Sequence, residues 1–191
     1  VIKWILLAGG AYLLLRGVTG PKHIIAVGDS ITAGPYPKHL VRKLPKHRVE
    51  IMGYGGKGAK YIHDKVISEV IARKPTDVVL LIGVNDIASG RGTTHTTEYI
   101  DKIYRLLDAN GIRVTAVPIL PWGARSNPLS RDGTTEQVNK FVSEHPIPKS
   151  VVDISPLGDR KVMHPQYTRD GIHPNGVGAE ILADLVVDAL L

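Results

Sequence analysis

Five short runs rich in Val, Ile and Leu constrain this chain more than anything else in it. They lie at 23–27, 48–52, 77–82, 113–119 and 150–154. Each is too short for an ordinary helix, and their largely unbroken apolar character predicts strands buried on both faces, as in a parallel sheet covered above and below. Helix-period patterns fall between them, near 37–44, 59–73, 96–110 and 134–144, with a last one at 176–190. That alternation implies an α/β layered fold. Pro75 stops the second pattern, Asn110-Gly111 ends the third, and Thr96 or Thr97 is placed to cap its start. A chain of 191 residues builds one well-formed core and is too short for two ordinary domains. It shows no internal repeat and no low-complexity tract.

The chemistry lies where these runs end. Gly28-Asp29-Ser30-Ile31-Thr32-Ala33-Gly34 follows the first run directly, so a buried strand delivers a hydroxyl at its carboxyl end. In open α/β sheets that is the edge where ligands bind. Alone, Gly-Asp-Ser suits an ordinary turn or a helix N-cap equally well. Two further blocks accompany it: Gly83-Val84-Asn85-Asp86 after the third run, and Asp170-Gly171-Ile172-His173-Pro174-Asn175 before the last helix. A hydrolytic serine needs a base, a carboxylate to orient that base, and donors for the oxyanion that forms on the attacked carbonyl. A turn between Asp170 and His173 brings the carboxylate to one imidazole nitrogen and leaves the other for Ser30. Asn85 offers an amide at the same sheet edge. In the final helix Ile181, Leu182, Leu185, Val186, Ala189 and Leu190 form a packing face, which sets where His173 points.

With these blocks in this order, the chain resembles the SGNH hydrolases, also called GDSL esterases or lipases, over roughly residues 22–191. The first block has Ile31 where the family usually has leucine. The second block, Gly53-Tyr54-Gly55-Gly56-Lys57-Gly58, has Gly53 in place of the family's asparagine, and Gly58 matches the oxyanion glycine best, with Gly56 the alternative. The resemblance implies a flavodoxin-like three-layer α/β/α sandwich on a mostly parallel five-stranded sheet. It implies Ser30 as nucleophile, His173 as general base and then acid, and Asp170 as orienting carboxylate. The backbone N–H groups of Ser30 and Gly58 and the amide of Asn85 would form the oxyanion hole. No cofactor and no metal is implied. The other histidines are scattered without the spacing of a zinc site, and read as surface or packing residues.

Two features bear on the substrate. Trp122 sits in the turn-rich segment 121–133, which should emerge at the catalytic edge, and either lines an acyl or sugar site or plugs the loop against the domain. The Gly-, Ser- and Thr-rich stretch 87–95 is expected as a second loop wall. Residues 38–74 carry ten Lys or Arg against Glu50, Asp64 and Glu69, in a chain of net charge +6. Such a patch either keeps a solvated face soluble or favours anionic glycans and lipid headgroups, and Lys57, beside the oxyanion glycine, is placed to steer an anionic substrate. No nucleic-acid motif accompanies the charge, so specific nucleic-acid binding is not expected.

The amino-terminal segment 1–21 is surplus to the domain at 22–191. Its run Trp4–Leu15 is uncharged and framed by Lys3 and Arg16, and is expected as an extra apolar helix. Three readings compete for it: a membrane anchor or export signal, a helix buried in an assembly, and a helix packed on its own domain. The first places the protein at a membrane or in the cell envelope, the second in a multi-subunit particle. Cysteine is absent, which discriminates no compartment. Together these features lead to the expectation of a serine ester hydrolase that removes short acyl groups, acetyl above all, from a cell-envelope glycan. The alternatives are a lipid or lysophospholipid esterase at a membrane, and a structural component of an assembly built on this domain.

Overall fold

The computed structural model describes residues 3–6, 12–15, 20–123, 131–159 and 161–191. Five strands, β1 (His23–Gly28), β2 (Arg48–Gly53), β3 (Asp77–Leu81), β4 (Arg113–Val117) and β5 (Ser150–Val151), form one parallel sheet in the order β2-β1-β3-β4-β5. Ile24 of β1 pairs with Val49 on one side and Asp77 on the other. This is the flavodoxin-like order, whose switch point lies between β1 and β3. Ile24 to Val27 and Val78 to Leu81 are buried, which is why these strands carry no polar alternation.

Two groups of helices flank the sheet. Helix α1 (Tyr36–Lys43) packs against the final helix α6 (Gly176–Leu190). Helix α2 runs as Ala59–Tyr61, a π-helical stretch Ile62–Val66, and Ile67–Ala72. A short α3 (Val84–Ala88) follows β3, and α4 (Gly92–Ala109) packs on α2 and on α5 (Arg131–Glu144). The three-layer α/β/α architecture expected from the sequence is the one observed.

Four local departures have physical reasons. Strand β5 is shorter than its apolar run: Val152 still donates to the Ala116 carbonyl at 2.9 Å, but Asp153 then folds its carboxylate onto the Ser155 N–H at 2.9 Å and turns the chain. Strand β4 stops at Val117 because Pro118 has no N–H for the ladder. The stretch 87–95 is mostly helical rather than a loop, since α3 and α4 leave only residues 89–91 between them. Thr96 and Thr97 lie inside α4 instead of capping it, their hydroxyls donating back to the carbonyls of Gly92 at 2.7 Å and Thr93 at 3.0 Å.

The expected apolar helix at the amino terminus falls on a stretch of which only Lys3–Leu6 and Tyr12–Leu15 are described, as an antiparallel strand pair with Lys3 opposite Leu15. The rest of that segment lies outside the described residues, as do residues 124–130 of the turn-rich segment after Trp122. Among the described residues no helix is long and apolar enough to cross a membrane.

Candidate active site

Ser30 stands inside a tight turn, two residues beyond the end of β1. Asp29 builds the turn: its side chain accepts the Ile31 N–H at 2.9 Å and its carbonyl accepts the Ala33 N–H at 2.9 Å. The turn is wedged between neighbouring strand ends. A Cβ on Gly28 would lie 2.1 Å from the Leu81 carbonyl oxygen, and one on Gly53 2.2 Å from the Ala33 nitrogen. Glycine is the only residue that fits either place.

The segment before α6 brings His173 to this serine across 143 residues of sequence. Its Nε2 lies 2.9 Å from Ser30 Oγ, and its Nδ1 lies 2.8 Å from Asp170 Oδ2. The other Asp170 oxygen accepts the backbone N–H groups of Ile172 at 2.9 Å and His173 at 2.8 Å. Partial burial pushes the Asp170 carboxyl up, but the hydrogen bonds from His173 and Ile172 outweigh it and hold the pKa at about 2. An anionic Asp170 fixes Nδ1 as the protonated nitrogen and leaves Nε2 to accept from the serine hydroxyl. The backbone behind the ring is tied as well. The His173 carbonyl accepts from Thr168 Oγ1 at 3.0 Å and from the Arg169 N–H at 3.0 Å. Asn175 caps α6 by accepting the N–H groups of Val177 and Gly178, both at 3.0 Å.

On the other side of Ser30 stand Gly58 and Asn85. Gly58 is the extended residue before α2, and Asn85 opens α3. The Asn85 side-chain amide donates to the Lys57 carbonyl at 3.1 Å, which ties the two loops together, and its second amide hydrogen has no acceptor among the described residues. The backbone N–H groups of Ser30 and Gly58 have no acceptor among the described residues.

Asp86, whose role the sequence did not disclose, holds this side. It is buried, and its Oδ2 accepts the Ala59 N–H at 2.7 Å. A Cβ at Gly58 would lie 2.3 Å from Asp86 Oδ1, so the glycine chain is pressed directly against the carboxylate. Burial raises the Asp86 pKa. The imidazole of His95 lies beside it, with Nε2 3.8 Å from Oδ1. The one available signal was position: an acid directly after an asparagine, at the end of a buried strand.

Two cavities open here. One, of about 190 Å³, is lined by Ser30, Pro35, Tyr36, Arg169, His173 and Pro174 among others. The second, of about 370 Å³, is lined by Gly56, Gly58, Asn85 and several basic residues, Lys57 among them. Gly56, the alternative donor, thus lies on the same wall as Gly58, with φ +71°. Lys57 is exposed, its ammonium 5.0 Å from the centre of the Tyr61 ring. Trp122 lines neither cavity. Its indole is buried and donates to Thr135 Oγ1 at 3.0 Å, and the next residue, Gly123, donates its N–H to the Gly171 carbonyl at 3.2 Å. The Trp122 segment therefore reaches the His173 turn through backbone.

A serine hydroxyl bonded to an imidazole that is bonded in turn to a carboxylate can lose its proton as it attacks a carbonyl, and the imidazole can return that proton to a leaving group. Comparison with known proteins agrees with this chemistry. Residues 26–181 match the model of the GDSL-like Lipase/Acylhydrolase family. A GDSL-like lipase from Bacteroides thetaiotaomicron is similar in structure at 25% identity and a TM-score of 0.73, over 88% of this chain and 87% of its own. An acetyl-xylooligosaccharide esterase from Geobacillus stearmophilus, solved as a mutant, shares the fold at 18% identity and a TM-score of 0.73, over 92% and 96%. An acetyl xylan esterase does so at 20% identity and a TM-score of 0.72, over 88% and 100%. No curated protein matches by sequence. With its three blocks gathered at one sheet edge and the family model spanning most of its length, the chain belongs to the GDSL-like lipase/acylhydrolase family and is an ester hydrolase.

Proposed function

We propose that Ser30, His173 and Asp170 act as nucleophile, general base and orienting carboxylate in acyl-enzyme hydrolysis of short, chiefly acetyl, esters on a cell-envelope glycan. The unbroken contact from Ser30 Oγ through His173 to Asp170, at 2.9 Å and 2.8 Å, carries the proposal. His173 takes the serine proton as Oγ attacks the ester carbonyl. The Ser30 and Gly58 N–H groups and the second Asn85 amide hydrogen receive the oxyanion. His173 then protonates the departing alcohol, and a water that it activates releases the acid.

Three observations support the substrate class. The cavity of about 190 Å³ beside Ser30 and His173 suits a small group better than a long chain. Two structural relatives are named as esterases of acetylated xylan or xylooligosaccharide. The basic stretch 38–74 fits an anionic polymer. Residues 1–20 would hold the enzyme at a membrane or in an assembly, and co-sedimentation of the full chain with and without them tests that.

Hydrolysis of p-nitrophenyl acetate, butyrate and octanoate, with Ser30→Ala alongside, tests the main claim. Ser30-dependent release that favours acetate is expected. Activity of the alanine variant near wild-type level would remove Ser30 from its role. A preference for octanoate would replace the glycan with a lipid ester.

A further inference from the structure

The cavity of about 370 Å³ on the Asn85 side has a charge pattern that ester hydrolysis alone does not require. Four cations line it, Lys57, Lys60, Lys65 and Arg91, against two carboxylates, Asp64 and Asp86. Both carboxylates are already engaged. Asp64 pairs with Lys60 and with His63, and Asp86 is buried with one oxygen on the Ala59 N–H. Lys57, Lys65 and Arg91 form no ion pair among the described residues, although Arg91 lies near enough to Asp86 to favour its charged form, and all three are exposed.

The contrast with the rest of α2 and α4 is informative. Arg73 is paired with Glu50 and Glu69, Lys102 with Glu98, and Arg105 with Asp101. These cations have carboxylate partners, as does Lys60 at the cavity, while Lys57, Lys65 and Arg91 form no ion pair among the described residues. Like charges that share a concave wall repel one another and focus a positive potential into it, which an entering anion relieves. The wall also carries Gly58 and Asn85, the proposed oxyanion donors, which is what would connect an anion held here to the reacting ester. Ser30 and His173 line the other cavity.

We propose that this cavity is an anion-binding subsite, in which Lys65 and Arg91, together with Lys57, take a carboxylate or phosphate group carried by the substrate. The site stands as an anion site on its own charges. Only its description as part of the substrate site rests on the ester-hydrolase mechanism above. Lys65 and Arg91 set specificity here and take no part in bond making.

The test is titration of Ser30→Ala protein with inorganic phosphate and, separately, with glucuronate, followed through backbone amide resonances. Saturable shifts centred on Gly58, Ala59, Asn85 and Arg91 are expected with at least one of them, and the tighter anion identifies phosphate or carboxylate as the group recognised. Adding Lys65→Ala and Arg91→Ala together should weaken binding at least about tenfold. Lys38→Ala with Lys46→Ala, which removes the same charge outside the cavity, should leave it nearly unchanged. Absence of saturable shifts with both anions overturns the proposal. So does equal weakening by the two pairs of substitutions, which would reduce the effect to net charge. The titration reads binding without turnover. Failure of the anion site and failure of the Ser30 mechanism are therefore separate results.

Discussion

The two walls that flank Ser30 are held in opposite ways. On one wall, Asp170 is half-exposed and, among the described residues, bonds to its own neighbours two and three positions on. Hydrogen bonds outweigh its desolvation, and its pKa falls to about 2. On the other wall, Asp86 is buried and reaches a residue 27 positions away. Desolvation outweighs its hydrogen bond, and its pKa rises. The same side chain thus stands once as a charge beside the proposed base and once as a strut between two loops. Hydrogen-bond supply, more than proximity to the serine, separates the two roles.

Substitutions can break that contrast, and the largest effect is expected on the exposed wall. Asp170→Asn keeps the shape but removes the charge that orients His173, so kcat should fall ~10²–10⁴-fold with the fold intact. Retention of nearly full activity would show that the backbone ties at Thr168 and Arg169 hold the ring unaided. Asn85→Ala should lower kcat by about 10²-fold with little change in KM, because its amide is needed most in the transition state. A rise in KM alone would count against an oxyanion role. Asp86→Ala should lower kcat about tenfold and cost about 1–3 kcal/mol, from the orphaned Ala59 N–H. Asp86→Asn, which keeps an acceptor, should restore most of both. If it restores neither, the charge of Asp86 matters and the strut description is wrong.

A smaller effect sharpens the contrast through pH. Asp29, next to Ser30, is wholly buried with Oδ2 unpartnered among the described residues, and burial raises its pKa to about 7. Between the ordinary carboxylate value and that one, the folded protein holds a proton that the unfolded chain releases. Stability therefore falls as pH rises through this window. Asp29→Asn removes the titration, so its stability relative to wild type should climb from about pH 4 to about pH 8 by more than ~1 kcal/mol. Parallel denaturation midpoints for the two proteins across that range would mean that Asp29 is better solvated than its burial indicates.

What could be read from the sequence follows the same division between local and distant contacts. The strands at 23–27 and 77–82, the end of α4 at Asn110-Gly111 and the spacing of Asp170 and His173 are local patterns, and each is found close to its predicted place. The family blocks then placed Ser30 beside His173, a contact no periodicity discloses. Asp86 and Asp29 escaped notice because nothing in Asn-Asp or Gly-Asp-Ser tells a buried carboxylate from a solvated one. The burial comes from strands and loops far away in sequence. The threonines of α4 misled for a related reason: a hydroxyl that can cap a helix can also bond back to a carbonyl inside one, and the helix extended past them to Gly92. Trp122 was left between two readings because its environment depends on Thr135, which lies on a helix the loop only reaches after folding.

The tether of His173 to α6 has a bearing on synthesis. Ser30 emerges early in translation and its hydroxyl is in place once β1 and its neighbours pair, but the imidazole it depends on is held by a turn whose anchor is the Asn175 cap and whose backing is α6 on α1. Lys43 of α1 reaches Asp184 of α6 at 2.6 Å, so the two helices are joined directly. A chain in which α6 is undocked therefore carries the Ser30 hydroxyl without a positioned imidazole, and gains the proposed triad only when α6 packs on α1.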